Sequence, residues 1–256
     1  MTVLANSIMQ AAVFHGHERI TIERIAMPDV GKGEVLVRVS RTALCGSDFK
    51  LWHKGAEFTA PFLHASMIKL IAGLGNPGKQ HERDRHNVGF WFVSRLASGE
   101  RIELRPVAKY HGMVGKLARP EGELKFVLPQ TYMNLSGKSV GALARFYKIH
   151  PEEILVVHDE LDFPPGTAKL KLGGGVAGHN GLKDIAAQLG GPGFWRLRIG
   201  IGHPGDRNLV ADYVLNSPSP SDRELIEDAL ARCMNVSRLL LDGEMQAAML
   251  KLHTDS

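Results

Sequence analysis

The chain has 256 residues, 44% of them hydrophobic and 23% charged, with a formal net charge of +4. This is the balance of a globular protein of one large or two small domains, with a modest tilt toward polyanionic partners. Nothing reaches the roughly 18 consecutive apolar residues of a membrane span, the start M-T-V-L-A-N-S-I-M-Q-A-A-V-F lacks the basic leader of a signal peptide, and Cys45 and Cys233, the only cysteines, exclude a disulfide framework and a four-cysteine zinc site. No membrane partner is expected, and a reducing cytoplasm is the expected compartment.

Residues 1–66 read as β-rich. I-T-I-E-R-I and E-V-L-V-R-V-S alternate apolar and polar side chains at the period of half-buried strands, with the loop M-P-D-V-G-K-G between them. The pattern stops after C-G-S-D-F-K-L-W-H-K-G without a closing strand, so the segment reads as an incomplete domain. From Met67 the rhythm becomes strand, loop, helix. K-L-I-A-G, G-M-V-G-K-L-A, L-K-F-V-L-P, I-L-V-V-H-D, A-K-L-K-L and W-R-L-R-I-G-I are predicted strands. V-G-F-W-F-V-S-R-L-A is predicted helical, starting near Asn87, and G-L-K-D-I-A-A-Q-L is a second helix. S-G-K-S-V-G-A-L-A-R-F-Y-K-I places Val140, Leu143, Ala144 and Tyr147 on one helical stripe. A long helix follows S-P-S-P-S-D-R-E, with Pro220 in its first turn, Ser221 and Glu224 as a capping box, and Ile226, Ala229, Leu230 and Cys233 on one face. E-M-Q-A-A-M-L-K-L closes the chain as a short helix. The alternation predicts an α/β domain over 67–256, a single twisted mixed sheet flanked by helices, behind a β-rich incomplete extension over 1–66.

Two glycine strings raise the question of a dinucleotide. G-L-G-N-P-G, Gly73 to Gly78, follows a strand and fits G-x-G-x-x-G. A cofactor site also needs a helix opening at the last glycine to hold the pyrophosphate. Here the polar run K-Q-H-E-R-D-R-H-N follows, and no acid stands at the end of a second strand for the ribose. G-G-G-V-A-G, Gly173 to Gly178, has a better context and basic neighbours Lys169, Lys171, Arg196 and Arg198. It reads equally as a phosphate-facing turn or as a tight turn between solvated bases.

Four polar clusters punctuate the strand ends: G-N-P-G with R-H-N, T-Y-M-N, V-H-D-E-L-D and G-H-N-G. Loops beyond strand ends are where open α/β sheets bind ligands. His86 is a candidate general base, because imidazole titrates near neutrality, and Asp159 is a candidate to hold its tautomer. Asn76, Asn134 and Asn180 offer donors and acceptors that orient a carbonyl or stabilise an oxyanion without titrating. With no G-x-S-x-G elbow, no H-E-x-x-H and no C-x-x-C, the simplest chemistry is water activated by His86, without a covalent intermediate or a metal.

Taken in order, G-L-G-N-P-G, R-H-N-V-G, T-Y-M-N-L-S-G, H-D-E-L-D-F-P-P-G, K-L-G-G-G with G-H-N-G-L-K-D, and R-L-R-I-G-I-G-H-P resemble bacterial peptidyl-tRNA hydrolases across essentially all of 67–256. The resemblance implies an esterase that cuts a peptide from the 3′-terminal ribose of tRNA, recycling tRNA lost during translation. It also implies a monomer that needs no metal or organic cofactor. It assigns His86 as the base and Asp159 as its stabiliser, and gives Asn76 the recognition of a substrate whose amino group is acylated. Tyr132, Met133 and Asn134, with His179 and Asn180, would contact substrate or position water, and Lys169, Lys171 and Arg198 would face tRNA phosphates. Two departures stand out: His81 occupies a tRNA-contacting position where the family often has Tyr, and Val176-Ala177 stands where it commonly has His-Gly.

Residues 1–66 are similar to something else. I-T-I-E-R-I-A-M-P, G-E-V-L-V-R-V and C-G-S-D resemble the opening of zinc-dependent medium-chain alcohol dehydrogenases, with Cys45 at the catalytic zinc ligand. The following G-H-E ligand motif, the structural cysteines and the cofactor domain are absent. The expectation is a truncated fragment fused ahead of a natural start at Met67. Two competing readings are an RNA-holding module without turnover and an oxidoreductase built on the glycine strings.

Overall fold

The computed structural model describes residues 8–14, 20–26, 67–120 and 122–254. The chain divides into two units, Met1–Ala65 and Ser66–Ser256. In the first, β1 (Ile8–Phe14) pairs antiparallel with β2 (Ile20–Ala26). The second of these matches the I-T-I-E-R-I expectation, the first was not expected, and E-V-L-V-R-V-S and Cys45 lie outside the described residues.

The second unit is built on β3 (Leu70–Gly73), all of whose residues are buried. It runs parallel to β6 (Leu124–Pro129) on one side and to β7 (Ile154–Glu160) on the other. Beyond β7 come β9 (Trp195–Gly200), parallel, and β8 (Ala168–Leu172), antiparallel. Beyond β6 come β5 (Gly112–Leu117) and β4 (Arg105–Val107), both antiparallel, completing a seven-stranded sheet of order β4-β5-β6-β3-β7-β9-β8. Strands buried on both faces favour continuous apolar runs, as in β3 and in Ile154, Leu155, Val156 and Val157 of β7, before β7 ends in buried His158, Asp159 and Glu160.

Alternation of side chains divides the core in two. Ile71, Leu155, Val157, Leu197 and Ile199 face the side covered by α1 (Val88–Gly99), α5 (Pro220–Asn235), α6 (Ser237–Asp242) and α7 (Met245–Thr254). Leu70, Ala72, Val127 and Val156 face the side covered by α2 (Ser136–Tyr147) and α3 (Asn180–Leu189). A five-residue α4 (Val210–Val214) leads into α5. Cys233 is a core residue of α5, and burial pushes its thiol up to about 12.

Two expectations need correction. The cap of α5 is Ser219, whose side chain accepts from the Asp222 N–H, and not Ser221; Pro220 then takes the first helical position, where a missing N–H costs nothing. On α2, Val140, Leu143 and Ala144 are buried, but Tyr147 is only half-buried, with the Lys125 ammonium 4.3 Å from its ring centroid.

Candidate active site

The parallel strands β3 and β7 deliver their carboxyl ends to one crevice, and the site is assembled there. Past Gly73 the chain meets α1 at backbone distance. A Cβ on Gly89 would stand 2.3 Å from the Val157 carbonyl oxygen, and one on Gly73 would stand 2.5 Å from the Gly89 carbonyl oxygen. The glycines of G-L-G-N-P-G thus serve helix packing; Gly78, at φ 106, turns the chain. Asn76 is buried and held from three directions. Its N–H donates to Asn87 Oδ1 at 2.8 Å, its carbonyl accepts from Asn87 Nδ2 at 2.9 Å, and its Oδ1 accepts from the Met133 N–H at 2.8 Å. Among the described residues nothing engages its Nδ2, which is left to donate to a ligand carbonyl.

The R-H-N turn, a short 3₁₀ segment over Arg85–Asn87, gives each residue a different anchor. Arg85 donates to the carbonyls of Tyr213, Asn216 and Ser217, and its guanidinium lies 4.0 Å from the Tyr213 ring centroid. Asn87 holds Asn76. Between them His86 Nδ1 lies 2.9 Å from both carboxylate oxygens of Asp159, at the end of β7. Asp159 accepts a second imidazole, His179 Nε2 at 3.0 Å. His179 caps α3, its Nδ1 accepting from the Leu182 N–H at 3.4 Å, so its proton is on Nε2. His86, donating through Nδ1, presents the lone pair of Nε2.

Burial pulls the His86 imidazole down, but the charge of Asp159, its hydrogen bond and the more distant Asp84 outweigh it, and the net shift is upward. Burial likewise pushes Asp159 up, yet the two imidazoles hold it well below the ordinary carboxylate range. His158 is different: burial, with His179 close by, drives it down to about 3, so it stays neutral, its Nδ1 2.6 Å from the Asp159 backbone oxygen. His86, Asp159 and His179 also offer metal-ligand atoms within 4.8 Å of one another, though hydrogen bonds already join these atoms.

Around this centre Tyr132, Asn134 and Asn180 are exposed, Tyr132 at 62%, while Met133 is buried and contributes its backbone. Lys169, Lys171 and Arg198 lie on β8 and β9, in register on the face turned away from Leu170 and Leu197. Arg198 stacks at 4.5 Å from the Phe163 ring centroid and lies 3.7 Å from Glu160. Arg196 is committed inward: its guanidinium holds the carbonyls of Gly173 and Gly175, so it staples the glycine-rich loop.

Residues 70–256 match the family model described as peptidyl-tRNA hydrolase. The chain belongs to the peptidyl-tRNA hydrolase family. It is 55% identical over 188 residues to the peptidyl-tRNA hydrolase of Variovorax paradoxus, covering 73% of this chain and 90% of the relative. It is 53% identical over 190 residues to that of Neisseria meningitidis serogroup B, covering 74% and 99%. The crystal structure of the Acinetobacter baumannii peptidyl-tRNA hydrolase superposes with a TM-score of 0.70 at 46% identity, over 74% of this chain and 96% of that one.

Against the family pattern, His81 sits on the 3₁₀ turn Lys79–His81 with its Nδ1 2.7 Å from Asp84 Oδ2. Ala177 adopts φ 45, the left-handed region where glycine is free and alanine is strained. Sequence reasoning named His86, Asp159 and Asn76, and missed Asn87 and Arg85 as their supports. Asn87 stood in R-H-N beside the candidate base, but a polar residue before a helix reads equally as a cap.

Proposed function

We propose that the 67–256 domain hydrolyses the ester of peptidyl-tRNA, with His86 as general base. The observation that carries this reading is the pair of 2.9 Å contacts between His86 Nδ1 and Asp159, which commit one ring nitrogen to the carboxylate and turn the other outward. Water gives its proton to His86 Nε2 as its oxygen attacks the ester carbonyl. Asp159 supports the imidazolium that forms, as buried carboxylates do for catalytic histidines. Collapse of the tetrahedral intermediate breaks the bond to the ribose oxygen, which takes the proton back from His86, leaving free peptide and free tRNA. Asn76 Nδ2 meets the amide carbonyl of an acylated substrate, Tyr132, Met133, Asn134, His179 and Asn180 border the reacting ester, and Lys169, Lys171 and Arg198 meet phosphates.

The domain is proposed to act in the cytoplasm as a monomer without metal or organic cofactor; among the described residues no helix is long and apolar enough to cross a membrane. Residues 1–66 are proposed to be a truncated alcohol-dehydrogenase-like segment that takes no part in the chemistry, supported by the motifs around Cys45 and by a family match that begins at residue 70. The test is release of N-acetyl-aminoacyl groups from tRNA by the full chain, by a version starting at Met67, and by His86→Ala. The histidine variant is expected to bind tRNA and release nothing; full activity in it overturns the assignment of the base.

A further inference from the structure

A groove of about 890 Å³ opens beside Asn76 on the face of the sheet that carries α1 and α5. Its apolar surface comes from Pro77, Phe90, Trp91, Pro218 and Pro220. The indole of Trp91 is fixed at both ends: its Nε1 donates to the Glu82 carbonyl at 2.8 Å, and the Arg223 guanidinium lies 4.0 Å from its ring centroid. Arg223 and Arg95, both on the wall, share Glu227 at 2.7 and 2.5 Å. Lys79 and Arg83 at the rim are exposed and have no ion pair among the described residues.

The position of the groove decides what it takes. Lys169, Lys171 and Arg198 lie on the opposite face of the sheet, the one shared with α2 and α3. Both faces meet at the strand ends, where Asn76 and His86 stand. An ester held there has two arms, and the phosphate-rich arm belongs with the lysines of β8. A single-stranded RNA site tracks the backbone with a row of unpaired cations, whereas here the floor is apolar, Arg95 and Arg223 share the one carboxylate of Glu227, and the unpaired Lys79 and Arg83 stand only at the rim. We propose that the groove binds the peptide arm of the substrate, the residues just upstream of the scissile ester, and selects apolar or aromatic side chains with acidic ones toward Lys79 and Arg83. This rests on the hydrolase reading above.

The test compares two substrates on one tRNA: N-acetyl-Phe-tRNA, which has almost no peptide arm, and N-acetyl-Asp-Phe-Leu-Phe-tRNA. Trp91→Ala is expected to lower kcat/KM for the long substrate about tenfold, the effect of losing one apolar contact in a specificity pocket, while the short substrate changes less than about twofold. The double variant Lys79→Glu/Arg83→Glu, at exposed positions, should show the same selectivity without disturbing the fold. Equal losses on both substrates point to RNA in the groove and overturn the proposal; so does no loss on either. Binding of the free peptide N-acetyl-Asp-Phe-Leu-Phe, read as quenching of tryptophan fluorescence that is lost in Trp91→Phe, needs no turnover. Quenching by wild type that cleaves neither substrate would remove the hydrolase reading and leave the groove; absent quenching overturns the groove alone.

Discussion

Asp159→Asn isolates what the carboxylate does for His86. The wild-type oxygens accept from His86 Nδ1 at 2.9 Å and from His179 Nε2 at 3.0 Å. An amide has one oxygen and a donor NH₂, so it suits one of the two imidazole N–H groups and opposes the other. A hydrogen bond to a charged group is worth about 1.5–3 kcal/mol. At about 1.4 kcal/mol per decade, its loss as the imidazolium forms lowers kcat by about 10- to 150-fold. The pH profile carries the sharper test. The base works only when neutral, so the rate rises with pH through the His86 pKa, which Asp159 holds above the ordinary imidazole value. Removing the charge leaves burial, which acts in the opposite direction, so the acid limb of kcat/KM moves to lower pH. The variant, though slow, keeps at about pH 6 a larger share of its maximal rate than wild type does. The assay is kcat/KM for N-acetyl-aminoacyl-tRNA across the acid limb. An unmoved or upward-moving limb, or a loss of rate under about threefold, refutes the pairing as the source of the activated base.

Asn87→Ala strips partners from the backbone N–H and C=O of buried Asn76; a loss of about 2 kcal/mol is expected in urea unfolding, with kcat reduced because Asn76 is no longer seated. Gly89→Ala drives a methyl against the Val157 carbonyl oxygen, with no flexible side chain to give way; about 3 kcal/mol or more is expected, read as a fall in the thermal midpoint or failure to fold, and wild-type stability would show that α1 can lift off the sheet.

The strands and longer helices of 67–256 were legible because burial on both faces, or on one stripe, writes itself into local sequence as apolar runs and helical periods. β4 was not legible: R-P-V is exposed or half-buried and is a strand only because β5 supplies its backbone partners. α4 and α6 are short; neither starts on a side-chain cap, and the one local signal, Gly243 closing α6 in the left-handed region, marks an end without a start. G-L-G-N-P-G raised the dinucleotide question for a related reason. Local sequence announces that a side chain is forbidden at Gly73 but not what forbids it, and the obstacle is the backbone of α1, sixteen residues on.

The site divides along the same line. His86, Asp159 and the asparagines were legible as residue types gathered at strand ends, yet their order of support was not. His179 reads from sequence as a substrate contact, but both its nitrogens are engaged, one with the Leu182 N–H and one with Asp159. That places the start of α3 in series with His86: the helix N-terminus fixes the His179 tautomer, His179 orients Asp159, and Asp159 fixes the tautomer of His86. The glycine-rich loop feeds directly into this relay, pinned by Arg196 at Gly173 and Gly175 and strained at Ala177, two residues before the cap. The loop is thereby tied through one imidazole to His86, so if the loop meets tRNA phosphates, that contact bears on the geometry of the proposed base.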